Sequence, residues 1–209
     1  MDEDESQRDS RASDSRVAPT LLVLVVGGEI DAELAALVWL LTEHGVPLVS
    51  ASPDRGAAER TRAAFARAAR ATQPGLDALP GGTVIAGSLE DVLRVSGGAS
   101  ASVGGGEVSD AARDLGLVIV RDTGHVTSAH YIRPVERDGA GHLQRRPPAL
   151  LAAWNAERQA LDHFWWSITE ELATRVGMER AEFEDEHERR AGQLEGASDK
   201  PVADGARGN

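Results

Sequence analysis

Residues 46–61 read VPLVSASPDRGAAERT, and this stretch decides the fold. An apolar run, Val46–Ala51, is followed by the turn residues SPDRG and then by a helical pattern from about Ala57 to Thr72. Strands buried on both faces read as continuous apolar runs, and Pro, Asp and Gly mark the connections between elements. The stretch therefore predicts a strand, a tight loop and a helix, which is the repeating unit of an α/β fold.

Two further elements are predicted on the N-terminal side of this unit. Leu21–Val26 (LLVLVV) is a short apolar run that ends at Gly27-Gly28, and it predicts a first buried strand. Asp31 then precedes a run in which apolar residues recur at spacings of three and four, up to Gly45. We expect a helix here, with Asp31 as its N-cap and Gly45 as its stop.

Shorter elements are predicted on the C-terminal side. Gly81–Gly87 predicts another strand, and Ser88 with Asp91 forms a capping-box pattern that opens a helix. Three antiparallel strands separated by Asp-Gly turns are predicted next, at Leu117–Arg121, Val126–Val135 and His142–Gln144. Together these patterns place an antiparallel meander after the parallel start.

The chain beyond Pro147-Pro148 is predicted to be helical. Ser167 and Glu170 form a second capping-box pattern, Gly177 is a stop signal, and Ala181–Leu194 is a mostly charged helix anchored by Phe183. The predicted organisation has four parts: a disordered acidic tail at 1–18, an α/β domain with the meander at 19–153, C-terminal helices at 154–195, and a disordered tail at 196–209.

Composition excludes several classes of function. The 209 residues carry 22 Lys and Arg against 34 Asp and Glu, a formal net charge of -12, which argues against nucleic-acid partners. The chain has no cysteine, and its one lysine is Lys200 in the C-terminal tail. No apolar run is long enough to span a bilayer, and the acidic start MDEDESQRDS is unlike a secretory signal. We therefore expect a cytoplasmic protein without membrane insertion.

The loop after Val46–Ala51 is the first candidate site. Its residues are Ser52, Pro53, Asp54, Arg55, Gly56, Ala57, Ala58, Glu59, Arg60 and Thr61. A strand, a tight loop and a helix N-terminus are the usual geometry for phosphate binding, and a working P-loop reads GxxxxGK followed by Ser or Thr. Here Glu59 occupies the lysine position, and at ~4 Å it would repel a phosphate charge by roughly 4 kcal/mol at an effective dielectric near 20.

Three segments resemble the P-loop ATPases of type II and type IV secretion and pilus assembly. Residues 29–61 resemble the entry to the Walker A loop, with the Gly-Lys-Thr positions falling on Ala58, Glu59 and Arg60. TVIAGSLEDV at 83–92 is similar to the histidine box of that family, with Ile85 at the histidine position, and 115–151 is similar to its late meander. The resemblance implies a P-loop NTPase-like three-layer core with an antiparallel meander and a helical tail.

The same resemblance implies a protein that has lost the catalytic activity of the family. Because the lysine, the histidine and the Walker B acids are missing, we expect a catalytically degenerate protein that is a structural or binding component of a secretion or pilus-type assembly. It would have no catalytic residues and no cofactor, it would bind protein partners, and it could form homo-oligomers. One alternative is an active ATPase that uses arginine in place of lysine, with ATP and Mg²⁺ as its ligands. Another is a plain binding domain unrelated to ATPases, which would have a strand order unlike that of P-loop proteins.

Two other groups of residues are weaker candidates. His125, His130 and His142 lie in or beside the meander, but their spacing favours neither a metal site nor a Ser-His-Asp triad, and solvent-exposed histidines are the expected outcome. The adjacent Trp165 and Trp166 point about 100° apart on a helix, so one can pack inward while the other faces a partner. With Arg133, Arg137, Arg145 and Arg146 they would form a docking surface. The interpretation that the sequence favours is that both seal the edge of the core.

Overall fold

The computed structural model describes residues 19–73, 79–97, 116–137, 139–140 and 143–198. The tail predicted at 1–18 and most of the tail predicted at 196–209 lie outside these residues. The first residues of that second tail, 196–198, belong to the last helix instead.

The described chain alternates helices and strands before it turns antiparallel. The elements, in chain order, are α1 (Pro19–Val26), α2 (Ala32–Glu43), β1 (Leu48–Ser52), α3 (Arg55–Thr72), β2 (Gly81–Ile85), α4 (Leu89–Gly97), β3 (Leu117–Arg121), β4 (Val126–Tyr131), β5 (Val135–Arg137), β6 (Leu143–Arg145), β7 (Ala149–Asn155), β8 (Ala160–His163), a 3₁₀ turn (Trp165–Ile168), α5 (Thr169–Val176) and α6 (Arg180–Ser198).

Six strands form one open mixed sheet in the order β2-β1-β3-β4-β7-β8. β1 pairs in parallel with both β2 and β3, whereas β4, β7 and β8 are added antiparallel. β5 and β6 form a separate two-stranded ribbon. The order 2-1-3 of the parallel strands is the order that begins flavodoxin-like sheets. The chain is therefore an α/β protein, as predicted.

α2 is the centre of the larger core. Every residue from Leu34 to Thr42 is buried, because the helix lies in one apolar cluster with residues of α1, α3, α6 and the sheet. The helix begins as predicted, since the Asp31 carboxylate accepts a hydrogen bond from the Leu34 N–H at 2.9 Å. It ends before Gly45, whose φ of 78° is readily adopted only by glycine.

The opposite face of the parallel strands carries a smaller core. Val49 and Ala51 of β1 and Val118 and Val120 of β3 pack there with Val92 of α4. The predicted capping box opens α4: the Ser88 hydroxyl accepts a hydrogen bond from the Asp91 N–H at 3.2 Å and donates one to its carboxylate at 2.8 Å. The parallel strands therefore have helices on both faces.

The strand predicted at Leu21–Val26 is wrong, because this segment lies within α1. A continuous apolar run of six residues has no period that separates strand from helix. In the structure Leu21 and Leu24 are buried while Val23 and Val26 are exposed, a spacing of three that matches a helix lying on the core.

The helical chain predicted directly after Pro148 is also wrong. Residues 149–155 and 160–163 form β7 and β8, so the boundary predicted between 153 and 154 falls inside a strand. β7 lies between β4 and β8, and its apolar sequence ALLAAWN has no polar alternation to mark it as a strand. Ser167 does not cap a helix, since its hydroxyl donates to the carbonyl of Phe164 at 2.8 Å.

The later helices follow the sequence prediction more closely. α5 ends at Gly177, which has a φ of 74°, and α6 includes Ala181–Leu194 with Phe183 fully buried. The single strand predicted over Val126–Val135 is interrupted after Tyr131 and resumes in β5. Within the described ranges, no helix combines the length and the apolar character that crossing a bilayer requires.

Candidate functional site

The carboxyl ends of β1 and β3 lie at one edge of the sheet, where open α/β sheets bind ligands. β1 ends at Ser52 and leads into the predicted phosphate loop, while β3 ends at Arg121. This edge therefore contains the candidate loop and, beside it, a buried charged residue that the sequence analysis did not single out.

Side chains of the candidate loop accept hydrogen bonds from the backbone N–H groups of the same loop. Only Pro53 and Asp54 separate β1 from α3. The Asp54 carboxylate accepts a hydrogen bond from the Gly56 N–H at 2.9 Å, and the Ser52 hydroxyl accepts one from the Asp54 N–H at 3.1 Å. These backbone N–H groups are the donors that a phosphate would need. An anionic N-cap therefore occupies the end of α3 that a phosphate-binding loop would leave open.

The remaining loop residues do not converge on a ligand position. Arg55 and Glu59 form an exposed ion pair at 2.7 Å, which raises the pKa of the Arg55 guanidinium through its hydrogen bond to the carboxylate. Arg60 is exposed, and Ala57 and Ala58 are buried. Thr61 is buried and accepts a hydrogen bond from Arg121 at 2.5 Å. The structure thus brings the predicted residues together as a capped helix start.

Arg121 is the buried charge at this edge, with only 1% of its surface exposed. Its guanidinium donates to the Glu29 carboxylate at 2.5 Å, to the Thr61 hydroxyl and to the carbonyl of Asp122 at 3.2 Å. The ion pair joins the end of β3 to the turn between α1 and α2. Glu29 and Arg121 are 92 positions apart, so no local sequence pattern could have paired them.

A second polar cluster lies at the N-terminus of α2. His163 of β8 contacts the Asp31 carboxylate at 2.8 Å and the Glu33 carboxylate at 3.6 Å. Burial alone lowers the pKa of His163, but the hydrogen bond and charge of Asp31, together with the charges of Glu33 and Asp162, raise it above its usual value. The cluster therefore favours a charged imidazole that ties β8 to α2.

The adjacent tryptophans separate, so the favoured expectation that both seal the edge of the core is wrong for Trp166. Trp165 is 9% exposed, packs edge-on against Phe183 and donates its indole N–H to Glu33 at 3.0 Å. Trp166 is 65% exposed, and its indole N–H donates to the carbonyl of His163 at 3.1 Å. With its one polar group satisfied, the Trp166 ring presents an apolar surface to solvent.

Trp166 lies in a groove of about 580 Å³, which we call the Trp166 groove. Its lining residues are Arg133, Arg146, Trp166, Ser167, Ile168, Thr169, Glu170, Glu171, Thr174 and Arg180. Arg133 is held by both carboxylate oxygens of Glu171, at 2.9 and 3.0 Å, and by the carbonyl of Pro147 at 2.7 Å. Of the predicted arginines, Arg133 and Arg146 therefore share a surface with Trp166. The side chains of Arg137 and Arg145 lie outside what the structure describes.

The histidines of the meander take separate places. His125 packs against Trp154 with ring centroids 3.9 Å apart and ring planes tilted by 43°, and His130 is hydrogen-bonded to Ser128 at 3.0 Å. Burial lowers the pKa of His130. His142 lies outside the described residues. Among those residues, no three His, Cys, Asp or Glu side chains are grouped so that they could hold a metal ion.

Compared with known protein families and with curated proteins, the chain matches none.

Proposed function

We propose that the protein is a non-hydrolysing binding component of a protein assembly, which docks a partner through the Trp166 groove. The observation that carries the proposal is the contrast between two neighbouring indoles: Trp165 is buried in the core, and Trp166 is 65% exposed at the surface. Exposed tryptophans beside arginines are the residues that most often dominate the binding energy of protein interfaces.

The charge of the groove indicates the kind of partner. Three arginines and two glutamates line it, in a chain whose formal net charge is -12. A partner segment that places an apolar side chain against Trp166 and carboxylates near Arg133 and Arg146 would match this surface. The partner we propose is therefore an acidic, partly apolar segment of another protein.

We also propose that the protein does not hydrolyse nucleotides. The unit from Ser52 to Thr61 is proposed to be a degenerate counterpart of a P-loop, and its helix start is capped by Asp54 rather than open to phosphate. Phosphoryl transfer depends on positioned positive charge, and Glu59 is paired with Arg55 at the position where lysine would act. The setting in a secretion or pilus-type assembly is supported only by the sequence resemblance described above.

Cross-linking in the source cells, followed by purification of the full chain and identification of its partners, tests the docking proposal. The variants are Trp166→Ala and, as a matched control, Ile85→Ala. Ile85 is equally exposed, at 64%, but lies on β2 at the opposite edge of the sheet from β8. We expect one acidic partner to be lost with Trp166→Ala and kept with Ile85→Ala.

Retention of every partner by Trp166→Ala would contradict docking through this groove. If the lost partner belongs to no secretion or pilus system, the docking surface stands and the proposed setting is wrong.

A further inference from the structure

A separate cavity of about 660 Å³ opens between α1, α2, the β7–β8 hairpin and the end of α6. Its volume lies within the range typical of small-molecule sites. Val126 at the start of β4 and Trp154 near the end of β7 both line it, so the cavity lies at the same edge of the sheet as the carboxyl ends of β1 and β3. Among the residues that the structure describes, none lines both this cavity and the Trp166 groove.

The cavity has both apolar and polar walls, and the apolar part is the larger. Val25, Ile30, Val126 and Leu161 line it together with the indole of Trp154. The rings of Trp154 and His125 pack against each other, with centroids 3.9 Å apart and planes tilted by 43°, and the indole N–H of Trp154 makes no hydrogen bond to the described residues. Trp154 is the aromatic residue among the described lining of the cavity, and tryptophan is the best of the aromatic residues for contact with a cation.

The charges that line the cavity are all negative. Glu29, Asp31 and Glu195 are lining residues, and none of the described residues that line it is Lys, Arg or His. Two of these carboxylates are held from behind: one oxygen of Glu29 is bound by the buried Arg121, and Asp31 is bound by His163. Their orientation is therefore set before any ligand arrives, which lowers the entropic cost of binding.

We infer that this cavity binds a small organic ammonium ion that carries an apolar body. The body would pack against Val126, Leu161 and the face of Trp154. The ammonium group would lie near Glu195 and the second oxygen of Glu29, which accepts no hydrogen bond from the described residues. Because Arg121 balances Glu29 and His163 balances part of the charge of Asp31, the site suits a single positive charge.

Titration calorimetry of the full chain with three probes of similar shape tests the inference. The probes are 2-phenylethylammonium, the neutral 2-phenylethanol and the anionic 3-phenylpropionate. We expect saturable binding of the ammonium and at least about tenfold weaker binding of the alcohol, because the alcohol loses both the charge-assisted hydrogen bond and the cation–π contact. We expect no binding of the carboxylate, because the acidic residues of the cavity repel it.

Substitutions of lining residues test whether the ammonium binds in this cavity. Trp154→Leu should weaken ammonium binding by about fivefold or more. Glu195→Gln, an exposed change on α6 that leaves the core intact, should weaken it several-fold. Glu188→Gln is the matched control, because Glu188 is an exposed glutamate on the same helix and does not line the cavity.

Three results would each overturn the inference: equal affinity for the ammonium and the alcohol, no ammonium binding at millimolar concentration, or full ammonium affinity in Glu195→Gln and Trp154→Leu. Trp166→Ala should bind the ammonium normally, so the outcome is independent of the proposed docking function.

Discussion

The carboxylate of Asp54 accepts a hydrogen bond from the backbone N–H of Gly56 at 2.9 Å, at the first turn of α3. Through this contact the Asp54 side chain places a negative charge at the N-terminus of α3. The partial positive charge of a helix N-terminus favours one anion near the first turn, and here a side chain supplies it. A phosphate would have to displace Asp54 and tolerate its charge at short range. The relationship therefore opposes nucleotide binding at this helix.

The Asp54 cap should contribute measurably to stability. Replacing an Asp N-cap by Ala removes the acceptor for the Gly56 N–H, so we expect Asp54→Ala to lower the free energy of unfolding by about 1 kcal/mol. Urea denaturation followed by circular dichroism measures the change. Asp54→Asn keeps an acceptor and should stay close to wild type; equal stability of all three proteins would show that the cap contributes nothing.

The two tryptophans should differ sharply in their effect on stability. Trp165→Ala removes a buried indole and its hydrogen bond to Glu33, and should cost about 3–5 kcal/mol of unfolding free energy. Trp166→Ala removes an exposed ring and should change it by no more than about 0.5 kcal/mol. The two variants differ by one position in sequence and remove the same atoms. Comparable losses in denaturant unfolding would contradict the opposite placement of the two rings.

The Arg121–Glu29 pair should behave as a coupled buried ion pair. Glu29→Gln leaves the buried guanidinium without its counter-charge and should destabilise the fold by about 3–5 kcal/mol. In a double-mutant cycle with Arg121→Met, the double variant should lose less than the sum of the two single variants. Arg94→Gln, which breaks only exposed ion pairs on α4, is the control and should have little effect. Strict additivity of the two core changes would show that the pair is not formed.

The His163 cluster should make stability depend on pH. Asp31, Glu33 and Asp162 outweigh burial and raise the pKa of His163 in the folded protein above its usual 6.5. The folded state then holds the proton more tightly than the unfolded state. The resulting stability is fully present below about pH 6.5 and is lost as the pH rises through the folded pKa.

His163→Gln should therefore cost more unfolding free energy at about pH 6 than at about pH 9. The neighbouring His187 has its pKa lowered, mainly by burial, and contributes a dependence of the opposite sign. His187 is present in both proteins, so the part of its effect that comes from burial cancels in the comparison, whereas the smaller part that comes from the charge of His163 does not. A difference between wild type and variant that is constant across this range would contradict the proposed charge on His163.

Substitution of Gly81 tests the register of the parallel strands. It pairs with Leu48 and has a φ of 112°, and a Cβ at this position would overlap the Leu48 backbone. Gly81→Ala should therefore destabilise the fold strongly, whereas Gly82→Ala, where a Cβ meets no atom within 4 Å, should be tolerated. Thermal unfolding of the two variants compares them directly; similar melting temperatures would contradict the pairing of β1 with β2.

Local signals were enough to predict much of the first half of the fold. Asp31 and Gly45 frame α2, Ser88 opens α4, and the β1–α3 unit follows from the turn residues between them. These features depend on residues within a few positions of one another. The prediction failed at α1 and β7, where apolar runs without a period depend on their neighbours in space to decide between helix and strand.

For the candidate sites, too, local sequence patterns carry information about some residues and none about others. The composition of the loop at Ser52–Thr61 predicts a degenerate phosphate loop, which stays a prediction. The spacing of Trp165 and Trp166 allowed one inward and one outward ring but did not favour that arrangement over two rings at the edge of the core. The Arg121–Glu29 pair and the cavity beside Trp154 were not predictable, because their residues come from distant segments that only the sheet order brings together.

Equilibrium binding of labelled ATP with Mg²⁺ to the full chain tests the central claim most directly, with phosphate release measured on the same sample. The account predicts no saturable binding and no phosphate release above the buffer background at millimolar nucleotide. Micromolar binding with phosphate release, both lost in Arg55→Gln or Arg60→Gln, would contradict it and establish an active ATPase that uses arginine in place of lysine.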